Sequence, residues 1–300
     1  MATQNIVSVS GGKDSTATLL LAIALEVENL TPVFADTGHE HQETYDYLFY
    51  LEQKLNLSIK RVKADFSREI ARKREYVMVN WRKQGVPESI IENALSVLVP
   101  TGVPFLDLCL WKGLFPSRKK QFCTKELKIV PQQQLYYPLL DQGDMVISWQ
   151  GVRREESLAR RYLNECDQVC DGLFNYRPIL KWSVKSVFDA HFDMGVKPNP
   201  LYMQGMNRVG CMPCINTTKD ELAEISRRYP EEIERVREWE SLVSLASKKQ
   251  SATLLTSDYR GHGIIELAEW SKTSFGGQQY DLIGAIADTS SCVSAYGLCE

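Results

Sequence analysis

Short apolar runs alternate with longer helical runs along the first half of the chain. Asn5 to Val9 is a short apolar run that enters a glycine turn, and Thr16 to Leu25 is the helical run that follows it. The same alternation continues further on, with strands predicted over Thr31 to Asp36, Ser58 to Val62 and Met145 to Trp149 and a helix over Gln42 to Leu55. Strands that alternate with helices form parallel sheets covered by helices. The pattern therefore predicts an α/β fold.

Two segments depart from this alternation. Residues 66 to about 120 contain helical runs broken by prolines and glycines, which favours a mostly helical insertion beside the sheet. Thr217 to Arg228 and Glu231 to Lys249 read as charged helices, and Thr253 to Gln279 as loop-rich. We therefore expect a nucleotide-binding domain over residues 1–215 and a helical and loop-containing C-terminal subdomain over residues 216–300.

Composition limits the classes of partner. The 300 residues carry a net charge of −3, with 44% hydrophobic and 24% charged residues, as in ordinary globular proteins. This balance gives no global attraction to nucleic acid or anionic membranes. A local basic run from Arg68 to Arg74 suits nucleic acid or, more simply, a solvated helix face. No signal peptide or run of roughly 20 apolar residues is visible, so we expect a cytoplasmic protein without a membrane partner.

The stretch from Ser8 to Ser15 has the chemistry of a phosphate site. It reads Ser-Val-Ser-Gly-Gly-Lys-Asp-Ser and lies between a predicted strand and a predicted helix. Turn N–H groups and the positive end of a helix both favour an anion there. The Walker A pattern does not fit, because Val7 stands where its first glycine belongs and Asp14 follows the lysine. An ordinary glycine turn with an exposed Lys13 is the alternative.

Two further polar stretches follow predicted strands. Asp36-Thr37-Gly38 ends the second strand, and Gly151 with Arg153 and Arg154 follows the strand Met145 to Trp149. Ligands in parallel sheets lie at the carboxyl ends of the strands, so we expect these stretches to share one crevice. Guanidinium groups bind phosphate or sulfate through two parallel hydrogen bonds. The alternative for the arginines is a structural helix start with ion pairs to neighbouring glutamates.

The eight cysteines suit metal or redox chemistry better than disulfides in a reducing compartment. Cys211 and Cys214 form a C-x-x-C pair on a glycine loop, a spacing that places two thiolates on one metal ion or cluster. Cys292 and Cys299 form a second spaced pair. Cys109 lies in an apolar run, which favours a buried free thiol. Other residues are ambiguous: Cys166 and Cys170 fit one helix face, and His39 and His41 suit phosphate contacts or plain loop positions.

Several motifs occur in the order found in one known family. Ser10 to Ser15 resembles the S-G-G-K-D-S loop of PP-loop ATP pyrophosphatases. Asp36 to Tyr45 resembles D-T-G-x-x-x-x-E-T-Y, and Gly151 to Ser157 resembles G-x-R-R-x-x-S. The stretches Pro178 to Ser183, Asn199 to Tyr202 and Gly210 to Cys214 continue the series. Together they resemble the phosphoadenosine phosphosulfate (PAPS) reductase family within the PP-loop superfamily.

The resemblance implies a Rossmann-like (HUP, PP-loop) parallel sheet with helices on both faces. It implies adenine-nucleotide contacts by Ser10, Gly11, Gly12, Lys13, Asp14, Ser15, Asp36, Thr37, Gly38, Gly151, Arg153 and Arg154. It also implies catalytic roles for Lys13, Asp14, Arg153 and Cys123. We expect the metal ligands to be Cys211, Cys214, Cys292 and Cys299, with Cys123 as a competing ligand or sulfur-relay residue. The expected cofactors are ATP or an adenylylsulfate-type nucleotide, Mg²⁺ and a [4Fe–4S] cluster, with Zn²⁺ as the alternative metal.

Departures from the reductases favour a different branch of the superfamily. Lys13 suits the β- and γ-phosphates of ATP, whereas reductases of preformed sulfonucleotides usually lack this lysine. The chain also lacks their C-terminal E-C-G-L-H motif and an adjacent cysteine pair. We therefore expect ATP cleavage to pyrophosphate with sulfur transfer, and a sulfur donor such as a cysteine desulfurase or thioredoxin-like protein. A nucleic acid fits the role of sulfur acceptor in this interpretation. The alternatives are a sulfonucleotide reductase that forms sulfite and a non-catalytic nucleotide-binding regulator.

Overall fold

The computed structural model of the chain describes residues 2–257 and 260–273. At the centre of this part is a sheet in the order β3-β2-β1-β4-β6-β5. Neighbouring strands are parallel except for β5, which is antiparallel to β6. The strands are β1 Thr3–Ser8, β2 Leu30–Asp36, β3 Lys60–Lys63, β4 Met145–Trp149, β5 Cys166–Cys170 and β6 Leu173–Tyr176, and a separate pair comprises β7 Thr256–Ser257 and β8 Gly261–His262.

Helices cover both faces of the sheet, as the sequence predicts. Val7 on one face packs with α1 and α2, while Ile6 and Val146 on the other face pack with α6. This alternation follows from the two-residue period of a strand. The helices are α1 Lys13–Ala24, α2 Gln42–Leu55, α3 Ser67–Tyr76, α4 Glu88–Val97, α5 Pro104–Lys112, α6 Val130–Asp141, α7 Val184–Asp193, α8 Lys219–Arg228, α9 Pro230–Ala246 and α10 Ile264–Ser271.

Strand order creates a crevice beside β1. The chain moves from β1 outward to β2 and β3, and then returns to place β4 on the opposite side of β1. Ile6 of β1 lies opposite Thr31 of β2 and Ser148 of β4. A reversal of this kind separates the loops that leave the two central strands, and ligands bind in the opening between them. The loop that follows β1 therefore stands at the expected position for a ligand site.

The insertion and the C-terminal helices share a hydrophobic core. This core includes Ile91 and Leu108 from the insertion and Val236 and Val243 from α9, all fully buried. The expected insertion is indeed mostly helical. The division into domains at residues 215 and 216 stays a prediction, and the shared core means that these helices stabilise one another.

Two expectations about secondary structure are wrong. Cys166 and Cys170 are on the exposed edge strand β5, and not on a helix. The two-residue turn Asp171-Gly172, with Gly172 at φ 76°, joins β5 to β6 and makes a hairpin. In the segment expected to be loop-rich, Ile264–Ser271 forms α10, which buries Ile264, Leu267, Ala268 and Ser271 at helical spacing.

No helix within residues 2–257 and 260–273 has both the length and the apolar character needed to cross a bilayer.

Candidate functional site

A crevice opens at the carboxyl end of β1. The loop that leaves β1, the end of β2 and the start of α6 form most of its wall. The lining includes Ser8, Ser10, Ser15, Phe34, Ala35, Glu40, Lys128, Gln132, Gly151 and Gly210. A concave site with a few polar groups on an otherwise apolar wall is typical of a cofactor or substrate pocket.

The Ser10–Ser15 loop forms a tight turn at the start of α1. Gly11 has φ 77°, and a Cβ there would lie 3.0 Å from Thr44 Cγ2, so both backbone and space require glycine. The Ser10 N–H donates to Ser15 Oγ at 3.0 Å, and the Lys13 N–H donates to Tyr202 Oη at 2.8 Å. These two bonds to hydroxyl groups of the protein fix the shape of the turn.

A buried ion network fixes the base of this loop. The Asp14 side chain is fully buried, and its Oδ2 lies 2.8 Å from Lys13 Nζ. Arg153 donates from Nε to Asp14 Oδ1 and pairs with Glu155 at 3.1 Å. A buried carboxylate is stable only when it is compensated, and here the neighbouring Lys13 and the distant Arg153 compensate it.

The remaining predicted phosphate ligands have varied surroundings. Arg154 donates through its guanidinium to the Leu163 carbonyl at 3.1 Å. Asp36 Oδ1 accepts from the Gly38 N–H at 2.9 Å and from the Tyr45 hydroxyl at 2.8 Å. A role for Arg154 in phosphate binding and for Asp14 or Asp36 in Mg²⁺ binding stays a prediction.

Gly151 is needed for close packing against the loop. A Cβ at this position would lie 2.7 Å from the Ser15 backbone nitrogen and 2.8 Å from the Asp14 carbonyl oxygen. Backbone atoms cannot move aside as a flexible side chain can. The glycine therefore allows the end of β4 to meet the start of α1, which brings Arg153 within reach of Asp14.

The Asn199 to Tyr202 motif forms hydrogen bonds to the backbone of the Ser10–Ser15 loop. Asn199 donates from Nδ2 to the Gly11 carbonyl at 3.3 Å, and the Tyr202 hydroxyl accepts from the Lys13 N–H. Lys13 Nζ also lies 5.5 Å from the centre of the Tyr202 ring, a cation–π distance. This motif therefore positions Lys13.

Beside the crevice is a buried cluster around Lys128. Cys211, Glu40, Cys214 and Cys123 are near enough to raise the pKa of the Lys128 ammonium, although burial alone would lower it. Glu40 accepts from the Thr37 hydroxyl at 2.7 Å, and burial raises the pKa of Glu40. The cluster combines one buried cation with groups that can become anions.

Two thiols in this cluster, those of Cys123 and Cys211, have raised pKa values. Burial, reinforced by Cys214, raises the pKa of Cys123 to about 11. Burial, with Glu40 next, raises the pKa of Cys211 well above its ordinary value. With a pKa of about 11, Cys123 is mainly a neutral thiol at pH 7. It must lose its proton before it can act as a nucleophile or a metal ligand, because the thiolate is the form that does both.

The described residues do not show the expected metal centre. Within residues 2–257 and 260–273, no group of three or more His, Cys, Asp or Glu side chains is arranged to hold a metal ion. Cys292 and Cys299 lie outside the described residues. The described side chains therefore do not by themselves fit a cluster, although Cys123 does lie near the Cys211–Cys214 loop.

The two histidines have structural surroundings. His39 is fully buried, packs against Phe105 and Trp239, and bonds through Nε2 to the Pro213 carbonyl at 3.0 Å. His41 Nδ1 accepts from the Glu43 N–H and caps α2. The imidazole of His39 therefore serves in packing, and that of His41 serves as a helix cap. These contacts account for both histidines without a bound phosphate.

Comparisons with known proteins decide the family. A profile of the phosphoadenosine phosphosulfate reductase domain matches residues 4–217, well over half of the chain. The chain belongs to the phosphoadenosine phosphosulfate reductase family. This result confirms the resemblance predicted from the motifs, and the α/β sheet with helices on both faces confirms the predicted fold.

The relatives of this chain include an uncharacterised phage protein and named reductases. An uncharacterised 37.8 kDa protein of Escherichia phage 186 is 47% identical, over 99% of this chain and 97% of its own. A phosphoadenosine 5′-phosphosulfate reductase of Aliivibrio fischeri is 26% identical, over 65% of this chain and 62% of its own. A solved PAPS reductase from Candida auris has a TM-score of 0.41 at 16% identity, covering 69% of this chain and 81% of its own. That structural likeness is too weak to carry an argument.

Several residues of this family member were not predicted as site residues. Lys128 and Gln132 come from the segment before and within α6, and Glu40 was passed over inside the D-T-G motif. Asn199 and Tyr202 belong to a motif that the sequence shows, so their contact with the loop was a readable signal. Lys128 and Gln132 carry no local signal, because only the fold brings α6 to the crevice.

Proposed function

We propose that the chain binds ATP or a closely related adenine nucleotide and releases pyrophosphate to activate a substrate for sulfur transfer. The observation that carries this proposal is the placement of Lys13. Its backbone N–H is held by Tyr202, and its ammonium pairs with Asp14 at the start of α1, next to Ser10 and Ser15, which line the crevice. A lysine held there suits the extra negative charge of a β,γ-diphosphate.

The protein groups would act mainly by positioning and charge. The loop N–H groups and Lys13 would hold the phosphates, and Arg153 would keep Asp14 and the start of α1 in place. An acceptor oxygen would then attack the α-phosphorus, and the bond to the bridging oxygen of pyrophosphate would break. Fixed donors that match charge developing on the phosphates accelerate such a step without side-chain proton transfer.

A second step would exchange oxygen for sulfur. The sulfur atom of a donor persulfide would displace AMP from the activated substrate, with the electron pair of the C–O bond leaving on AMP. Reduction of the donor's S–S bond by a thiol would complete the transfer. The raised pKa values of Cys123 and Cys211 support a separate sulfur donor protein, since a raised pKa disfavours the nucleophilic thiolate.

The names of relatives favour a second candidate function. The Aliivibrio fischeri relative is a phosphoadenosine 5′-phosphosulfate reductase and aligns with 65% of this chain. The same crevice would then hold a preformed sulfonucleotide, and a cysteine would attack its sulfur atom. The high pKa of Cys123 counts against that residue as the nucleophile, and the other candidate, Cys299, lies outside the described residues.

A paired assay separates the candidates. The purified protein is given ATP with Mg²⁺ in one reaction and adenylylsulfate or its 3′-phosphate with reduced thioredoxin in the other. The proposal expects pyrophosphate from ATP and no sulfite from the sulfonucleotides. Sulfite without ATP cleavage would establish the reductase instead, and nucleotide binding with neither product would indicate a regulator.

A further inference from the structure

Gln132 has a buried side chain at the wall of the crevice. It lies in the first turn of α6, is 4% exposed, and lines the crevice together with Ser8, Phe34 and Ala35. Neither the loop motif nor the arginine motif includes it. A polar side chain buried to this degree normally has partners for its hydrogen-bonding atoms.

The amide oxygen of Gln132 is fully used. Its Oε1 accepts from Ser8 Oγ at 2.9 Å and from Tyr136 Oη at 3.1 Å. The Tyr136 hydroxyl in turn lies 3.2 Å from Ser148 Oγ. A carbonyl oxygen has two lone pairs, so these two bonds saturate it. The network holds the amide in one orientation.

The amide nitrogen is therefore left for a ligand. Within residues 2–257 and 260–273, Gln132 has bonds at Oε1 alone, and its Nε2 has no acceptor. Nε2 is not sealed inside the protein, so its two N–H donors are open to the crevice that Gln132 lines. A ligand that brings an acceptor to this wall would satisfy them.

We propose that Gln132 donates a hydrogen bond to N1 of the nucleotide base and thereby selects adenine over guanine. The inference rests on the proposed nucleotide function and adds a specificity-determining residue to it. The phosphates belong with the Ser10–Ser15 loop, whereas Phe34 and Ala35 give the wall near Gln132 an apolar character that suits a flat base. Adenine ring nitrogens are acceptors, while guanine presents N1–H and amino donors that would meet the Gln132 donor unfavourably.

The variant Gln132→Glu tests this assignment because it exchanges a donor for an acceptor with little change in shape. Gln134→Glu is the matched control, since Gln134 is on the same helix and exposed. The dissociation constants for ATP and GTP are measured by calorimetry. We expect Gln132→Glu to weaken ATP binding about tenfold or more, as the loss of a buried hydrogen bond does, and to narrow the preference for ATP over GTP. Gln134→Glu should bind like the wild type.

Deaza nucleotides locate the bond without depending on one variant. The wild type should lose affinity for 1-deaza-ATP but not for 3-deaza- or 7-deaza-ATP, and Gln132→Glu should not discriminate against 1-deaza-ATP. If Gln132→Glu does not fold, Gln132→Met keeps the side-chain length without the donor and gives the same comparison.

The outcomes separate the two proposals. Wild-type protein that binds ATP, with a Gln132 variant that retains both the affinity and the base preference, would overturn the role of Gln132 and leave the proposed function standing. Wild-type protein that binds no adenine nucleotide would overturn the proposed function and this inference with it.

Discussion

Arg153 pairs with the buried carboxylate of Asp14 across 139 positions of sequence. Two motifs that look separate in the chain, the S-G-G-K-D-S loop and the G-x-R-R element, are thereby joined into one unit. The pair explains why an arginine follows β4, since the Asp14 charge would otherwise be buried beside Lys13 alone. It also gives Arg153 a positioning role towards the phosphate loop.

Removing Arg153 should destabilise the protein strongly. Arg153→Ala leaves Asp14 with one compensating cation in a buried place, and breaking a buried pair typically costs about 3–5 kcal/mol. Arg82→Ala is the control, because Arg82 pairs with Glu88 at the exposed surface, where ion pairs contribute little to stability. Urea unfolding of both variants measures the difference. Equal losses would contradict the proposed role of the Arg153–Asp14 pair.

Gly151→Ala should affect the phosphate loop directly. The added Cβ would overlap the Ser15 nitrogen, and the resulting shift of α1 should weaken ATP binding about tenfold or more, as misplacement near a site does. Gly143→Ala is the control, because the added Cβ would meet open space while the backbone at φ 80° is strained for alanine. It should lower the free energy of unfolding and leave ATP affinity unchanged. Normal ATP affinity in Gly151→Ala would show that the loop does not depend on this contact.

Acid should destabilise the fold through His39. Burial, with Arg235 next, lowers the pKa of His39 to about 3, from an ordinary value of 6.5. Below pH 6.5 the unfolded chain takes up a proton that the folded protein refuses, so the free energy of unfolding falls between pH 6.5 and 3. His39→Gln should flatten this slope relative to the wild type, and His262→Gln, at an exposed position, should not. Parallel slopes in all three proteins would contradict the assignment.

The metal expectation is tested by elemental analysis. If Cys211 is a ligand, anaerobically purified wild-type protein should contain iron or zinc, and Cys211→Ser should lose most of it. Cys166→Ser is the control, because Cys166 is exposed on the edge strand β5. A wild type without iron or zinc would end the expectation, as would full retention of metal by Cys211→Ser.

Local patterns predicted the regular elements well. The structure places α2 at Gln42–Leu55 and β4 at Met145–Trp149, the bounds that the sequence predicted. His41 caps the start of α2 and Asn56, at φ 49°, ends it, so local residues define this helix. The edge strand β5 was not predicted, because Cys-Asp-Gln-Val-Cys is polar and mostly exposed. Its antiparallel pairing with β6, and not an apolar pattern in its sequence, defines it as a strand.

The candidate site was predictable only in part. Residues in motifs, such as Lys13 and Gly151, could be identified because each motif carries its own chemistry. The Glu40–Lys128–Cys211 cluster could not, since its members come from three distant segments and only the fold brings them together. Gln132 shows the same limit, because its role depends on hydroxyl groups contributed by β1 and by the next turn of α6.

The most direct test of the proposed function is pyrophosphate release by Lys13→Ala. Lys54→Ala is the control, because it makes the same change at an exposed position of α2. With saturating ATP and Mg²⁺, we expect the wild type and Lys54→Ala to release pyrophosphate at the same rate. In Lys13→Ala the rate of pyrophosphate release should fall by about a hundredfold or more, as with loss of a charge-stabilising donor. Pyrophosphate release by Lys13→Ala at the wild-type rate would contradict the account.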